Sequence, residues 1–247
     1  MLSVERQKKI GQLVAQHGAV NVAGLAHQFQ VSSSTVRRDL EQLEKQGVIQ
    51  RAHGGAVAVD GASIPAFVAG FGAGRIGRAA AGRVRAGETV YLGPGRLTLE
   101  VAKALAVRSN VTVITNSLEI AHWLATNASL AVILAGGSVG RPRDGLAGPL
   151  VTHALRTLRA DRTIIEATGI SPDQGLTNSD LAQAEICRQL ISSPGETIVL
   201  VPPERVGRIG GILVGPAGDI DVIITGREAP DAALWDLSQL GIDIISV

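Results

Sequence analysis

Apolar residues recur at intervals of three and four along the first fifty positions, which is the spacing of amphipathic helices. The apolar stripes of three predicted helices are Ile10, Leu13 and Val14, then Val22, Leu25, Ala26 and Phe29, then Val36, Leu40 and Leu43. Asn21 and Ser32 precede the second and third stripes, and both residue types cap helix N-termini. Because the segment Gln30-Val31-Ser32 is long enough only for a tight turn, the pattern predicts a helix-turn-helix.

A β-hairpin is predicted directly after the third helix, which is expected to end near Gly47. Residues 48–52 and 56–59 form two short, mostly apolar runs, and His53-Gly54-Gly55 lies between them. Glycines in this position allow the tight turn that joins two antiparallel strands. Residues 1–59 are therefore predicted to form a winged helix-turn-helix domain.

The rest of the chain has a different pattern. Residues 60–74 are rich in Gly and Ala, which is typical of a linker, and residues 75–247 form the second predicted domain. In that domain strands are predicted at 89–92, 111–115, 130–135, 163–167, 197–201 and 222–225, and helices at 98–106, 118–125, 150–158, 181–191 and 232–240. These strands are short and nearly all apolar, so we expect them to be buried on both faces. The fold class is therefore α/β, with a mostly parallel sheet covered by helices beside the small N-terminal domain.

Composition excludes several classes of protein. Hydrophobic residues make up 45% of the 247 residues and charged residues 18%, which excludes global disorder. No apolar run approaches the ~18 residues of a membrane span, so no membrane partner is expected. The charged N-terminal segment and the single Cys187 are typical of a cytoplasmic protein.

Charge is distributed unevenly between the two predicted domains. Residues 1–57 contain seven basic and four acidic residues, a net charge of +3, whereas the remainder carries a net charge of −2. The small domain is thus the candidate for binding a polyanion. In a helix-turn-helix the second helix enters the major groove of double-stranded DNA with its N-terminal side chains at the base edges. The candidate DNA-binding residues are Ser33, Ser34, Thr35, Arg37 and Arg38 on that helix, and Arg51 and His53 on the wing.

The second domain has candidate ligand-binding turns where its predicted strands end. A ligand usually binds at the carboxyl ends of the strands of such a sheet, and helix N-termini there attract anions. The strand-end residues selected on this basis are Gly93, Gly95, Arg96, Thr98, Asn116, Gly136 and Gly137. Each turn is also compatible with a simple tight connection. The histidines do not have the spacing of metal ligands, so neither a metal nor a cofactor is predicted.

Several stretches of the first domain resemble the winged helix of the DeoR family of bacterial transcriptional regulators. These stretches are Glu5-Arg6-Gln7-Lys8-Lys9-Ile10, Leu25-Ala26-His27-Gln28-Phe29-Gln30-Val31-Ser32, Thr35-Val36-Arg37-Arg38-Asp39-Leu40, Leu43-Glu44-Lys45-Gln46-Gly47 and Arg51-Ala52-His53-Gly54-Gly55-Ala56. Landmarks of the family also follow in order at Thr115-Asn116-Ser117-Leu118, Gly136-Gly137, Gly148-Pro149, Gly175-Leu176-Thr177 and Glu185. The resemblance implies a C-terminal domain like ribose-5-phosphate isomerase, which binds a phosphorylated sugar or a related metabolite and adjusts operator affinity.

The chain departs from the family at several positions of that implied pocket. The family's Asp-Ser-Gly-Thr-Thr-Thr run is replaced by the segment from Gly93 to Thr98, and the acid before Gly169-Ile170 is replaced by Thr168. A lysine of the family gives way to Cys187, and the late Asp-Ser-Ser-Lys to Pro202-Pro203-Glu204-Arg205. By resemblance, Thr168, Glu185 and Arg205 join the candidate effector-binding residues, with Arg96 and Arg205 supplying positive charge.

Three functions agree with these observations. The first is a ligand-controlled DNA-binding regulator, a repressor of a carbohydrate or related metabolic operon. The second is an enzyme related to sugar-phosphate isomerases, and the third is a constitutive DNA binder whose C-terminal domain only oligomerises. Because the expected carboxylate positions hold Gly93, Thr168 and Pro202, binding is favoured over catalysis and no catalytic residue is assigned. A homodimer or higher homo-oligomer is expected, since DNA-binding proteins of this kind read paired half-sites.

Overall fold

The computed structural model describes residues 3–17, 19–46, 49–52, 55–57, 70–139 and 145–247. The chain divides into two compact units, Met1–Phe71 and Gly72–Val247. Within the described ranges, none of the helices has the length and apolar character needed to cross a membrane.

The N-terminal unit is a winged helix, as predicted. Its elements are α1 (Ser3–His17), β1 (Ala19–Asn21), α2 (Val22–Phe29), α3 (Ser33–Lys45), β2 (Gln50–Ala52) and β3 (Gly55–Val57). The predicted hairpin is the antiparallel pair of β2 and β3, and β1 pairs with the other side of β3. The apolar stripes of the three helices pack together in one core, which also contains Ile49 and Ala56.

The two predicted helix caps are present. The Asn21 side chain accepts a hydrogen bond from the amide of Gly24 at 2.6 Å, and the Ser32 hydroxyl accepts one from the amide of Thr35 at 3.2 Å. Capping of this kind is worth about 1 kcal/mol for each helix. The caps determine where α2 and α3 begin, and therefore where the turn between them lies.

The C-terminal unit alternates strands and helices along the chain. Its first half contains α4 (Gly70–Arg83), β4 (Thr89–Leu92), α5 (Arg96–Leu105), β5 (Thr112–Thr115), α6 (Leu118–Asn127), β6 (Ala131–Leu134), β7 (Ser138–Val139), β8 (Leu146–Ala147) and α7 (Pro149–Thr157). Its second half contains β9 (Arg162–Glu166), β10 (Gly169–Ser171), β11 (Gly175–Asn178), α8 (Leu181–Ile191), β12 (Glu196–Leu200), β13 (Ile212–Gly215), β14 (Val222–Thr225), α9 (Asp231–Ser238) and β15 (Asp243–Ser246). A 3₁₀ turn at Pro203–Arg205 follows β12.

Seven of these strands form one sheet in which each neighbouring pair is parallel. Their order is β15-β14-β12-β9-β4-β5-β6. From β4 the chain builds outward through β5 to β6 and then returns to place β9 on the other side of β4. The order of the strands thus reverses between β4 and β9, and ligands of such sheets usually bind at the carboxyl ends of the strands at a reversal of this kind.

Alternating side chains of the strands enter two separate cores. On β4, Val90 and Leu92 pack in one apolar cluster and Tyr91 in the other. On the next strand, Val113 and Ile114 divide between the clusters in the same way. Helices therefore cover both faces of the sheet, which confirms the predicted fold class.

An ion-pair cluster ties the strands together at their amino ends. The Arg162 guanidinium donates to the Glu88 carboxylate at 2.8 Å and also contacts Glu196. The hydrogen bond from Arg162 is the main reason that the pKa of Glu88 is lowered. Glu196 also pairs with Arg83 of α4 at 2.8 Å, so the cluster joins α4 to the sheet.

The expectation that the strands are buried on both faces is wrong for β6. This strand lies at the end of the sheet, and Ile133 and Leu134 are 39% and 41% exposed. The apolar pattern of a strand predicts that the strand forms, but it does not show whether the strand lies in the middle of the sheet or at its edge.

Several elements were not predicted. The strands β10, β11 and β13 form a small antiparallel sheet, and β7 pairs with β8. Helix α4 begins at Gly70, inside the predicted linker 60–74, whose residues 60–69 lie outside the described part. One of its glycines has a packing role: a Cβ at Gly77 would lie 2.6 Å from the Cβ of Glu100 on α5. Only glycine allows α4 and α5 to approach this closely.

Candidate DNA-binding helix and effector crevice

Helix α3 presents two chemically different faces. Val36, Leu40 and Leu43 are at most 1% exposed and face the core. On the solvent side, Ser33, Ser34, Arg37 and Arg38 are exposed, and Thr35 is half-buried. The structure therefore brings all five predicted residues of this helix into its first half, on a surface that DNA can reach.

The first turn of α3 is held by hydroxyl groups as well as by its cap. The Ser32 Oγ lies 2.8 Å from the Ser34 Oγ and 2.9 Å from the Thr35 Oγ1. The same Ser32 oxygen accepts the Thr35 amide proton. These contacts restrict the rotamers of Ser34 and Thr35, so these side chains have defined positions before DNA binds.

A buried ion pair fixes α3 against α1. The Arg6 Nε donates to the Asp39 Oδ2 at 2.6 Å, and the Arg6 Nη2 donates to the Asp39 Oδ1 at 3.3 Å. The two side chains are 9% and 4% exposed, and Gln7 also donates to the Asp39 Oδ1 at 3.0 Å. Asp39 thus faces α1 while its neighbours Arg37 and Arg38 face solvent.

Sequence reasoning missed this pair, although the chain contains a signal for it. Asp39 is three positions after Val36 and four before Leu43, so it stands on the apolar stripe of α3. A carboxylate in that position requires a cationic partner from another helix, because burial of an unpaired charge is costly.

The two candidate residues of the wing lie wholly or partly outside the described part of the chain. Arg51 lies on β2, but its side chain is not among those described, and His53 falls outside the described residues. Their roles in DNA binding stay predictions.

The candidate effector residues lie on several turns, and four of them share the turn between β4 and α5. Gly93 follows β4, and Gly95 is the N-cap of α5 with a backbone φ of +148°. Arg96 is the first residue of the helix, and Thr98 is fully buried with its hydroxyl donating to the carbonyl of Gly95 at 2.9 Å. This turn lies at the reversal between β4 and β9.

The acid at the end of β9 reaches into the same turn. Glu166 is the last residue of β9, and its Oε2 accepts a hydrogen bond from the amide of Leu97 at 2.8 Å. A Cβ at Gly95 would overlap this oxygen, so glycine is required for the approach. We did not predict Glu166 as a site residue, although a carboxylate that ends an apolar strand is a visible signal in the sequence.

Asn116 is buried at the end of β5 and lies in a network of hydrogen bonds. Its Oδ1 accepts from the Tyr91 hydroxyl at 2.6 Å. Its Nδ2 donates to the carbonyl of Leu146 at 2.9 Å and to the Gln183 Oε1 at 3.2 Å. Burial raises the pKa of Tyr91 well above its ordinary value, so this phenol remains a donor at physiological pH. Asn116 therefore joins β4, β5, β8 and α8, and a contact with an effector stays a prediction.

The remaining candidates are more widely spaced. Gly136 and Gly137 follow β6, and Thr168 follows β9 with its hydroxyl donating to the carbonyl of Thr177 at 3.1 Å. Glu185 on α8 and Arg205 in the 3₁₀ turn after β12 are both exposed. The carboxyl end of the sheet thus carries Gly136, Gly137 and Thr168, whereas Glu185 lies within α8.

Neither the surface depression of the sensor domain nor its cysteine is part of the candidate effector site. A surface depression of about 490 Å³ is lined by residues 106–109 and 126–129, which precede β5 and β6 at the opposite, amino ends of the strands. Burial raises the pKa of Cys187 to about 12, so the thiol stays protonated and unreactive at neutral pH. In the described ranges, no group of three or more His, Cys, Asp or Glu side chains is arranged to hold a metal ion.

Known protein families cover most of the chain. Residues 6–62 match the DeoR-like helix-turn-helix domain, and residues 74–227 match the DeoR C terminal sensor domain. The chain belongs to the DeoR family of bacterial transcriptional regulators. This membership confirms the family resemblance and identifies the two units of this DeoR-family regulator as a DNA-binding domain and a sensor domain.

Individual relatives of this DeoR-family regulator extend over nearly the whole chain. The transcriptional repressor AccR of Agrobacterium fabrum is 32% identical, over 90% of this chain and 88% of its own. The glycerol-3-phosphate regulon repressor of Escherichia coli is 29% identical, over 97% of each chain. Among solved structures, ribose 5-phosphate isomerase A of Methanocaldococcus jannaschii matches 54% of this chain and 52% of its own, with 16% identity and a TM-score of 0.40.

The Arg6–Asp39 pair predicts a large effect on the stability of the N-terminal unit. Asp39→Ala leaves the Arg6 guanidinium buried without its carboxylate, which should cost about 3–5 kcal/mol. Arg6→Met combined with Asp39→Leu should recover most of this loss, because an apolar pair removes both charges. Amide hydrogen exchange in α3 is the suitable measurement, since Trp123, Trp235 and Tyr91 all belong to the C-terminal unit.

Gln42→Ala on the exposed side of α3 is the control and should leave exchange nearly unchanged. Equal exchange rates in α3 for Asp39→Ala and Gln42→Ala would show that the ion pair does not hold the helix.

Proposed function

We propose that this DeoR-family regulator is a repressor that binds operator DNA through α3 and responds to a small metabolite held in the sensor domain. The observation that carries the DNA-binding surface is the exposed first half of α3, where Ser33, Ser34, Arg37 and Arg38 lie opposite the buried stripe. A helix-turn-helix places this part of its second helix in the major groove. The names of AccR and of the glycerol-3-phosphate regulon repressor support repression as the outcome.

The two arginines of α3 are proposed to have different roles. A guanidinium can donate two hydrogen bonds to the O6 and N7 of guanine, and this contact distinguishes guanine from other bases. Contacts with phosphate instead position the protein and depend little on sequence. The two residues are adjacent and therefore point to different sides of the helix, so they cannot both make the same contact. We assign the base contact to Arg37 and the phosphate contact to Arg38.

The assignment predicts different binding profiles for two alanine variants. Arg37→Ala should lose about 1–3 kcal/mol on the cognate operator and relax sequence preference, whereas Arg38→Ala should weaken cognate and unrelated DNA alike. Arg38→Ala should also reduce the slope of log K for DNA binding against the logarithm of the salt concentration by about one. Binding isotherms on both DNAs at several salt concentrations measure these effects.

Arg227→Ala, which removes an exposed arginine of the sensor domain, is the control and should bind as the parent protein does. Full operator affinity in the Arg37→Ala, Arg38→Ala double variant would refute the proposed interface.

The proposed effector site is the crevice between β4 and β9. The strand-end side chains there and at the neighbouring strands are two hydroxyls, an amide, a guanidinium and a carboxylate, from Thr98, Thr168, Asn116, Arg96 and Glu166. Such groups hold small polar molecules such as sugars and related metabolites. We therefore propose binding of the metabolite without its chemical conversion. Because a ligand can shift DNA affinity only by binding the two states of the protein unequally, the effector must differ in affinity for free and operator-bound protein.

Arg96 is the most informative residue for this site. A thermal-shift screen of phosphorylated and unphosphorylated sugars should first identify a stabilising compound. Arg96→Ala should then weaken its binding and reduce its effect on operator affinity, as measured by titration with and without operator. Lys103→Ala is the matched control, because Lys103 lies near the other end of α5 and pairs with Glu100 at 2.7 Å.

If Arg96→Ala bound the compound as tightly as the parent protein, this contact would be refuted. Failure of a broad screen to find any ligand would instead favour a sensor domain that only oligomerises.

We also propose that the sensor domain forms a homodimer through the edge of its sheet. The edge strand β6 pairs only with β5 among the described strands, and its Ile133 and Leu134 are exposed. An exposed apolar edge strand is a ready surface for association with another chain. A second copy of this chain is the occupant that matches the need of a helix-turn-helix protein to read two half-sites.

The dimer predicts that a charge on β6 impairs both assembly and DNA binding. Ile133→Lys should shift the protein toward the monomer in analytical ultracentrifugation and weaken binding to an operator with two half-sites. Val107→Lys is the control, because Val107 is 90% exposed at the opposite end of the strands. A monomeric parent protein that occupies operator DNA one-to-one at full affinity would contradict the proposal.

A further inference from the structure

The two edge strands of the seven-stranded sheet differ in their chemistry. The edge strand β15 begins with Asp243, which pairs with Arg83 of α4 at 2.9 Å, and it ends with Ser246. The other edge strand, β6, has the sequence Ala-Val-Ile-Leu. Charges and prolines on an edge strand prevent it from pairing with another chain. The strand β6 carries neither, so its sequence leaves it open to pairing.

The backbone of β6 presents hydrogen-bonding groups to the outside of the sheet. The amide of Ala135, directly after β6, donates to the carbonyl of Thr115 at 2.9 Å, and successive residues of β6 lie opposite successive residues of β5. Because the backbone groups of a strand point to alternate sides, those of Ile133 also face β5, whereas those of Val132 and Leu134 point away from it. Among the described strands, none pairs with this outer side.

Both faces of β6 carry exposed apolar side chains. Ile133 and Leu134 are 39% and 41% exposed and, as neighbours on a strand, lie on opposite faces of the sheet. A strand that covers this edge must therefore be apolar on both faces as well as free to form backbone hydrogen bonds. Of the two edge strands of this sheet, β6 itself has that pattern, so a second copy of β6 is the occupant that matches it.

We infer that the β6 strands of two copies pair directly, side by side, and join the two sheets into one continuous sheet. A two-fold axis perpendicular to the sheet reverses the direction of the second strand, so the two copies of β6 run antiparallel. This inference rests on the proposed function in one respect, which is that the sensor domain forms a homodimer through the edge of its sheet.

The symmetry and the outward groups together define the register. All outward amides and carbonyls find partners when Val132 of each copy lies opposite Leu134 of the other, because residues in such a pair exchange both hydrogen bonds. Ile133 then lies on the two-fold axis, opposite Ile133 of the second copy. These two residues form a pair without hydrogen bonds, in which the Cα atoms are about 4.5 Å apart. The pairing covers the exposed apolar side chains of both strands.

Cysteine cross-linking of the full chain tests this register. Ile133→Cys places two thiols across the axis at a separation that a disulfide allows, so mild oxidation should give at least about tenfold more linked dimer than with Ala131→Cys. Ala131 is the matched control because it is exposed on the same face of the same strand. In this register its two copies are separated by about 13 Å along the strands, which is too far for a disulfide. The native Cys187 is 8% exposed and should not contribute.

Amide hydrogen exchange of the parent protein gives a second test that needs no substitution. The amides of Val132 and Leu134 should be protected in the dimer and exchange at least about tenfold faster when the sample is diluted to the monomer. The amide of Ile133 faces β5 and should be protected in both states. This contrast between neighbouring amides tests the pairing if the cysteine variant does not fold.

The inference is overturned if Ile133→Cys and Ala131→Cys form linked dimer equally, or if a dimeric parent protein leaves the amides of Val132 and Leu134 unprotected. A monomeric parent protein would overturn the proposed homodimer together with the inference. Failure of the proposed regulator would have a different signature. Disulfide-linked Ile133→Cys dimer would then form as expected but show no sequence-specific binding to operator DNA.

Discussion

The buried ion pair between Arg6 and Asp39 holds the helix that carries the candidate DNA-binding residues. The described core of the N-terminal unit is apolar, and this pair adds a charged contact between α1 and α3. The paired hydrogen bonds from one planar guanidinium fix direction as well as distance. Since Arg37 and Arg38 adjoin Asp39 in sequence, the pair that holds Asp39 against α1 also directs the two arginines toward solvent.

In the sensor domain, the order of the strands determines where the candidate effector site lies. Parallel strands are added first on one side of β4 and then on the other, and ligands usually bind where the order reverses in this way. The first turn of α5 and the end of β9 meet there, and the contact from Glu166 to Leu97 spans the reversal. In both units a carboxylate thus holds a helix: Asp39 holds α3 against α1, and Glu166 accepts the Leu97 amide proton at the start of α5.

The sequence predicts the regular elements well because their patterns are unambiguous. Helix α8 and the strands β4 and β14 begin and end where the apolar runs predict, and the caps Asn21 and Ser32 lie at the predicted helix starts. Helix α4 was missed because its glycines resemble a linker, although Gly77 allows close packing against α5. The small sheet of β10, β11 and β13 was missed because β10 and β11 consist largely of Gly, Ser, Thr and Asn and so form no apolar run.

The site could be predicted only in part. Strand-end turns are visible in sequence, but strand order is not, so no pattern could show that the β4 turn would face the end of β9. The sequence also does not show which distant group pairs with a carboxylate in an apolar segment. For this reason the contacts of Asp39 and Glu166 were not predicted. The exposure of β6 was not predicted for the same reason, because the burial of a strand depends on neighbours that lie far away in the chain.

Methylation interference on the operator measures whether α3 contacts base edges in the major groove, as we propose. Methylation of guanine N7 blocks the atom that a guanidinium would contact. DNA methylated at guanines within the half-sites should therefore be depleted from the protein-bound fraction. Equal methylation of those guanines in bound and unbound DNA would contradict recognition through α3.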